Sequence, residues 1–316
     1  MKTKGLFKET QYLLGTSVLL LVVLPLFMKE RYVLHLLIIV FMWITLSQSW
    51  NLLGGYTGQV SFGHAAFFGL GAYAGGLVYY HFDISSWYGM ALGPALSVLI
   101  GLPMGIICFR LRGAYFALSM LALAEVLRLV AANWVEVTNG MVGILVMPKA
   151  SKIPYYYLSL IMAVVTSYGV YRLMRSRWGY CFLAIREDQD AAESIGVNTT
   201  LYKNIALGVS AIPSGMAGAF YLNYMGFIDP EIVFSLIDIS IMMIMVVMLG
   251  GAGTILGPIV GSFIMVLFQE VFRVYFGQAN MLAFGILIIL TIVFIPDGLV
   301  EGMRKYRQKR KQMSDA

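Results

Sequence analysis

Ala184-Ile-Arg-Glu-Asp-Gln-Asp-Ala-Ala-Glu-Ser-Ile-Gly196 is the centre of a polar island, residues 175–203, set between long apolar runs. Its reading decides the fold. A charged stretch between two runs long enough to cross a bilayer lies in the water phase while both of its ends are fixed to membrane helices. Ile185, Ala192 and Ile195 recur at helical spacing and define a predicted apolar face, with Glu187, Asp188, Asp190 and Glu193 supplying acid around it. Gly196 is placed to end this short helix, and Asn198-Thr-Thr200 to cap the helix that follows. A partner seated on such a segment pulls directly on the flanking helices, so the island reads as a coupling element. The plainer alternative is a solvated surface helix.

The rest of the chain agrees with a membrane setting. Of 316 residues, 59% are hydrophobic and 12% charged, where a soluble domain carries about 25% charged residues. Mean hydropathy is +0.80. The apolar runs are continuous and about twenty residues long, which favours helices over the alternating segments of about ten residues of a membrane barrel. The 33 glycines and 20 methionines suit helices that approach closely and adapt to one another. The expected fold is an all-α polytopic bundle of about ten transmembrane helices (eight to ten).

Predicted spans cover roughly residues 11–28, 32–53, 60–82, 87–109, 113–133, 154–174, 204–225, 236–250, 255–273 and 279–296. Lys2, Lys4 and Lys8 precede the first run, which is longer than a signal-peptide core and lacks a small-residue cleavage site, so an uncleaved span is expected. With the N-terminus inside, 16 of the 22 Lys and Arg fall on the cytoplasmic side. That bias sets orientation and predicts both termini in the cytoplasm. It also accounts for the net charge of +6 without nucleic acid, because the basic residues cluster at span ends and in the tail at 300–316. Residues 134–153 and 226–235 then form external stretches, either connecting loops or contacts for an extracytoplasmic partner.

Two glycine clusters follow outside-to-inside spans: Leu53-Gly-Gly-Tyr-Thr-Gly-Gln-Val-Ser-Phe-Gly63 and Leu249-Gly-Gly-Ala-Gly-Thr-Ile-Leu-Gly-Pro258. The shared Leu-Gly-Gly opening hints at an internal repeat. Such sequences interrupt helices, and non-helical backbone at membrane depth is tolerated where protein or a water-filled cavity covers it. Gly58, Ser61, Gly63, Gly250, Gly251 and Gly253 are therefore candidates for a translocation path. The pairs Gly71/Gly75, Gly101/Gly105 and Gly257/Gly261 have small-residue spacing for close helix crossings.

Glu125 and Arg128 lie one turn apart inside a predicted span, and Glu270 and Arg273 repeat the spacing. A charge at mid-membrane costs about 2.5–3.5 kcal/mol on insertion scales, so neither pair is expected to face lipid. Each reads as an ion pair neutralised inside the bundle; for Glu125 and Arg128 a polar path or gate is the sharper alternative. His64 opens the third span and reads either as a contact for a carboxylate substrate or as an interior histidine. Cys108, Cys181 and the three histidines show no metal-ligand spacing. The chain contains no phosphate-binding Gly-x-x-x-x-Gly-Lys-Ser/Thr loop, no His-Glu-x-x-His and no Gly-x-Ser-x-Gly elbow. No enzyme site is expected, no cofactor is assigned to this chain, and any ATP is used by another polypeptide.

The ordered set of motifs resembles the branched-chain amino acid permease family of ABC importers, closest to its LivM-type branch. The resemblance runs from Trp50 to about Arg273. It is carried by Gly58-Gln-Val-Ser-Phe-Gly-His-Ala-Ala-Phe-Phe-Gly-Leu-Gly-Ala-Tyr73, by Ala184 to Asn198, by Lys203 and Ser210-Ala211, and by Leu249 to Pro258. It implies one transmembrane permease domain over residues 1–316 in a bacterial-type inner membrane, with a cytoplasmic coupling loop at 175–203. It also implies a second, LivH-like permease subunit, two cytoplasmic ATP-binding subunits and an extracytoplasmic substrate-binding protein. Arg186, Glu187, Asp188, Asp190, Ala191, Ala192, Glu193 and Gly196 match the family's coupling helix, with Asp190 where Glu is more usual in the wider importer pattern. The implied cargo is a hydrophobic, branched-chain amino acid carried by alternating access, with urea or a short amide as the alternative. A proton-linked secondary transporter using Glu125 or Glu270 is the rival class.

Overall fold

A computed structural model of the chain describes residues 21–25, 30–147, 151–276, 285–286, 298–300 and 302. The expected spans at 11–28 and 279–296 and the tail at 300–316 lie largely outside these residues, as does the predicted placement of both termini. Among the described residues, seven segments are long and apolar enough to cross a membrane: Arg31–Tyr56, Ser86–Cys108, Ala114–Asn133, Ile153–Met174, Thr199–Met225, Pro230–Gly250 and Leu256–Arg273. The chain is thus a multi-pass membrane helix bundle.

The long helices in chain order are α1 (Arg31–Trp50), α2 (His64–Phe82), α3 (Gly89–Cys108), α4 (Ala114–Asn133) and, after the short α5 (Val135–Thr138), α6 (Ile153–Met174). The island folds as α7 (Arg177–Glu187) and α8 (Gln189–Ser194). The chain continues with α9 (Thr199–Met225), the short α10 (Pro230–Val233), α11 (Met242–Gly250) and α12 (Leu256–Phe276). The run expected to span at 60–82 becomes α2 but is not one of the seven, because Gly, Tyr and His dilute its hydropathy. Its first thirteen residues, His64 to Gly76, are all buried, and a helix surrounded by other helices need not match lipid.

Glycine sets the closeness of that interior. A Cβ built on Gly71 of α2 falls 1.9 Å from the carbonyl oxygen of Gly215 on α9, and one on Gly250 of α11 falls 1.8 Å from that of Gly257 on α12. No side chain fits at either crossing, so backbone meets backbone, which is how helices gain dispersion energy where lipid removes the hydrophobic drive. Ser49 and Trp50 of α1 find hydrogen-bond partners across the same interior. Ser49 Oγ donates to the Ser210 carbonyl at 2.5 Å and lies 2.7 Å from Ser214 Oγ, while Trp50 Nε1 donates to the Ser61 carbonyl at 2.7 Å.

Two details go beyond the sequence reading. The bundle is helical as expected and adds one short ladder: Ile144 and Leu145 pair antiparallel with Ile228 and Phe227, which ties the two predicted external stretches to each other. The second of those stretches also does not stay beyond the helix ends. Phe234 stacks on Tyr73 with ring centroids 5.9 Å apart and meets Gly69, the sixth residue of α2, while Ser240 Oγ accepts the Ala65 N–H at 2.9 Å. Residues 229–241 therefore run back along α2. Asp229 accepts the Ile232 N–H at 2.7 Å to start α10, and the π-helical turn Leu236–Ile241 leads into α11. The span expected at 236–250 is the second part of this longer, interrupted segment.

Candidate functional site

The island is a helical elbow. Asp188 adopts an extended conformation that stops α7, and its carboxylate accepts the Ala191 N–H at 2.9 Å to start α8. Gly196, at φ +89°, ends α8, and Asn198 accepts the Leu201 N–H at 3.0 Å to start α9. The Gly196 stop and the Asn198 cap follow the sequence reading, whereas the break at Asp188 does not. The predicted apolar face does not survive whole: Ile185 and Ala192 are buried, but Ile195 is 78% exposed. The break at Asp188 resets the helical phase, so Ile195 no longer shares a side with Ile185.

Three sets of contacts fix the elbow to the bundle. In the turn between α3 and α4, Arg112 Nη1 donates to Asp190 Oδ1 at 2.7 Å, and Nη2 lies 3.9 Å from Glu193 Oε2. From α9, Thr199 donates to Glu193 Oε1 at 2.5 Å, and the buried Lys203 donates to the Gln189 side-chain oxygen. Gln189 in turn donates to Glu193 Oε1 at 3.0 Å. The Thr199 and Gln189 hydrogen bonds, with Arg112 beside them, hold the Glu193 carboxyl below its ordinary range. The Asp190 hydrogen bond raises the Arg112 guanidinium above its ordinary value.

The third set joins the elbow to both glycine clusters through Arg186. A Cβ on Gly58 would lie 3.2 Å from Arg186 Cγ, and one on Gly253 2.2 Å from Arg186 Nη1. Both glycines have φ +72°, a left-handed conformation that glycine adopts without a Cβ clash. The residues just before the first cluster bond to the second: Asn51 Oδ1 accepts the Gly253 N–H at 2.8 Å, Asn51 Nδ2 donates to the Thr254 carbonyl at 2.9 Å, and Gln48 Nε2 donates to the Ile255 carbonyl at 2.7 Å. Asn51 opens the π-helical turn Asn51–Tyr56, a local irregularity of the kind that concentrates at functional sites.

The sequence candidates separate into three places. Arg186, Gly58 and Gly253 meet at the elbow, with Gly250 and Gly251 close by at the end of α11, while Glu187, Asp188, Asp190, Ala191, Glu193 and Gly196 lie on its exposed side. Ser61, Gly63 and His64 are interior: Ser61 Oγ accepts the Gly63 N–H at 3.2 Å and lies 3.3 Å from His64 Nδ1, and His64 is fully buried with its ring edge toward Phe67. Glu125 and Arg128 pair at 2.5 Å as expected, but the Glu125 side chain is 48% exposed and Arg128 also reaches Glu231. That pair opens outward from this chain. Glu270 accepts from Arg273 at 2.5 Å and from the Tyr32 hydroxyl at 2.6 Å. Sequence reasoning missed Arg112, Gln189, Thr199 and Glu231. Arg112 carried only the signal of a basic residue between spans, and Asp190 is 78 positions away.

A model of the family described as branched-chain amino acid transport system, permease component, matches residues 32–295. The chain belongs to this family. This permease is 27% identical over 305 residues to the high-affinity branched-chain amino acid transport system permease protein LivM of Salmonella typhimurium, covering 87% of the chain and 71% of that protein. It is 26% identical over 321 residues to LivM of Escherichia coli, covering 92% of the chain and 75% of that protein. No solved structure matches it. The elbow, both glycine clusters and the outward pair of α4 all lie inside the matched region of the permease.

Proposed function

We propose that this chain is the permease subunit of an ATP-driven importer that carries a hydrophobic, branched-chain amino acid across a bacterial cell membrane by alternating access. The observation that carries this reading is the elbow α7–α8, joined at once to the α3–α4 turn by Arg112, to α9 by Thr199 and Lys203, and to both glycine clusters by Arg186. A force applied there is delivered to several membrane helices together. The 16 of 22 basic residues assigned to one side favour a cytoplasmic elbow, where an ATP-binding subunit docks against Glu187, Asp188, Asp190 and the exposed Ile195.

The importer then contains two such ATP-binding subunits, a second LivH-like permease subunit and an extracytoplasmic binding protein that delivers the amino acid. ATP is bound and hydrolysed on the partners. Closure of the ATP-binding subunits moves the elbow, which shifts the bundle only through contacts that differ between its two states. Gly58, Ser61, Gly63, His64, Gly250, Gly251 and Gly253 lie where re-arrangement of the interrupted helices opens or closes the path. The branched-chain cargo rests on the names of the two LivM relatives.

The test is uptake by the reconstituted complex. ATP-dependent accumulation of leucine, isoleucine or valine is expected, and reversal of Glu187, Asp188 and Asp190 to Lys abolishes it while membrane insertion is retained. Normal uptake by that variant, or uptake driven by a proton gradient without ATP-binding subunits, overturns the reading.

A further inference from the structure

The open sides of the bundle differ in one respect. On α3 the exposed positions include Leu99 and Ile106, and on α6 Ile161 and Val165, faces suited to hydrocarbon. On α4 the exposed stripe Leu118, Ala122, Glu125, Leu129 has the same helical spacing but carries a carboxylate. Glu125 stands eleven residues from the first residue of α4 and eight from the last, or ~16 Å and ~12 Å along the axis at 1.5 Å per residue. It is therefore close to the middle of a span.

Arg128 does not neutralise this site. Its guanidinium binds Glu125 and, at the same time, Glu231, which the folded-back segment after Asp229 brings to the same depth. One cation is shared by two carboxylates, and the trio is net negative. An exposed net charge at mid-span is a poor surface for lipid. Glu270 and Arg273 differ: they form a one-to-one pair in the last turns of α12, and the Tyr32 hydroxyl donates to the carboxylate.

We propose that the open face of α4 is the surface on which this chain meets the LivH-like permease subunit of the importer, and that this subunit sets a basic side chain opposite Glu125. The proposal rests on the importer reading above. A second copy of this chain presenting the same face would place each net-negative trio against its own counterpart, a like-charge contact in a low-dielectric setting. A distinct chain with a cation at that depth completes the charge balance and covers the flanking Leu118, Ala122 and Leu129.

The experiment uses the assembled complex in membranes, with Cys108 and Cys181 replaced by Ser. Single cysteines at Leu118 or Ala122 on α4, and at Leu99 on α3 or Val165 on α6, carry a photoreactive probe, and the adducts are identified by mass. The expected result is an adduct with the second permease subunit from both α4 positions and with lipid from the α3 and α6 positions. Lipid adducts from α4, an adduct joining two copies of this chain, or equal capture of the second subunit from α6 overturns the proposal. The charge is tested by co-purification: Glu125→Lys lowers the recovered second subunit by ~10-fold, whereas Glu125→Gln retains at least a third of it. Wild-type recovery with Glu125→Lys removes the partner cation from the proposal. ATP-dependent uptake by the cysteine-free parent is measured separately, so failure of the importer reading appears there and failure of the α4 interface appears in the adducts.

Discussion

Arg112 Nη1 donates to Asp190 Oδ1 at 2.7 Å, joining the turn between α3 and α4 to α8 across 78 positions of sequence. Both side chains are more than half exposed, so water and salt screen the pair and it adds little to stability. Its consequence is positional. With Thr199 and Lys203 on the other side, it makes α8 a bridge between two membrane hairpins.

Arg112→Glu is accordingly expected to leave the melting temperature within about 2 °C of wild type while lowering amino-acid uptake per ATP hydrolysed by at least ~5-fold, the lower end of ordinary coupling energies. The exchanged pair Arg112→Asp with Asp190→Arg restores coupling. Reconstituted vesicles reporting uptake and hydrolysis together check this, and full coupling in the single variant removes Arg112 from the bridge.

Lys203 is buried and donates to the Gln189 side chain, with its ammonium 5.9 Å from the centre of the Phe109 ring. Lys203→Met keeps most of the volume and is expected to change stability by less than about 1.5 kcal/mol, while freeing Gln189 and lowering coupled uptake. Lys203→Ala adds a cavity and costs more, about 2–4 kcal/mol. Thermal unfolding and uptake, measured on both, separate a positioning role from a merely structural one.

The two glycine settings are sensitive for different reasons. Gly71→Ala sets a methyl group against the Gly215 backbone, where the Cβ has 1.9 Å of room, and overpacking costs about 1–3 kcal/mol. At Gly196 no heavy atom lies within 4 Å of the new Cβ, so Gly196→Ala costs only the left-handed strain of about 1–2 kcal/mol. Gly196→Pro cannot adopt φ +89° and is expected to abolish uptake without preventing insertion.

Glu193 gives the elbow a pH dependence of defined sign. The Thr199 hydroxyl, then the Gln189 amide, hold its carboxyl below the ordinary value of 4.5, so its contribution is fully present above that value and is lost as pH falls through the lower, folded value. Spin labels at Ser194 and Arg110 are expected to show one narrow distance at pH 7 and a distribution that broadens as the pH is taken down through that lowered value. Glu193→Gln is expected to be broad throughout. An unchanged distribution in acid rules out this tether.

Much of the molecule was legible locally. Continuous apolar runs gave the helices, Asn198 and Gly196 occupy their expected cap positions, and the glycine pairs Gly71/Gly75 and Gly257/Gly261 mark close approaches of backbone to backbone. Ile195 shows where local reasoning stopped: a helical repeat was extended through Asp188, whose extended backbone ends one helix and begins another.

The sequence by itself determined that this is a membrane bundle of the branched-chain permease family with an acidic segment between two spans. Those facts follow from hydropathy, short-range capping and motif order, which act over a few residues at a time. Only the tertiary structure decided that both Leu-Gly-Gly segments meet at Arg186, that residues 229–241 run back along α2, and that Glu125 faces out of the bundle. A lipid-facing helix surface is as apolar as an interior one, so hydropathy does not say which side is covered. That depends on contacts between residues far apart in the chain.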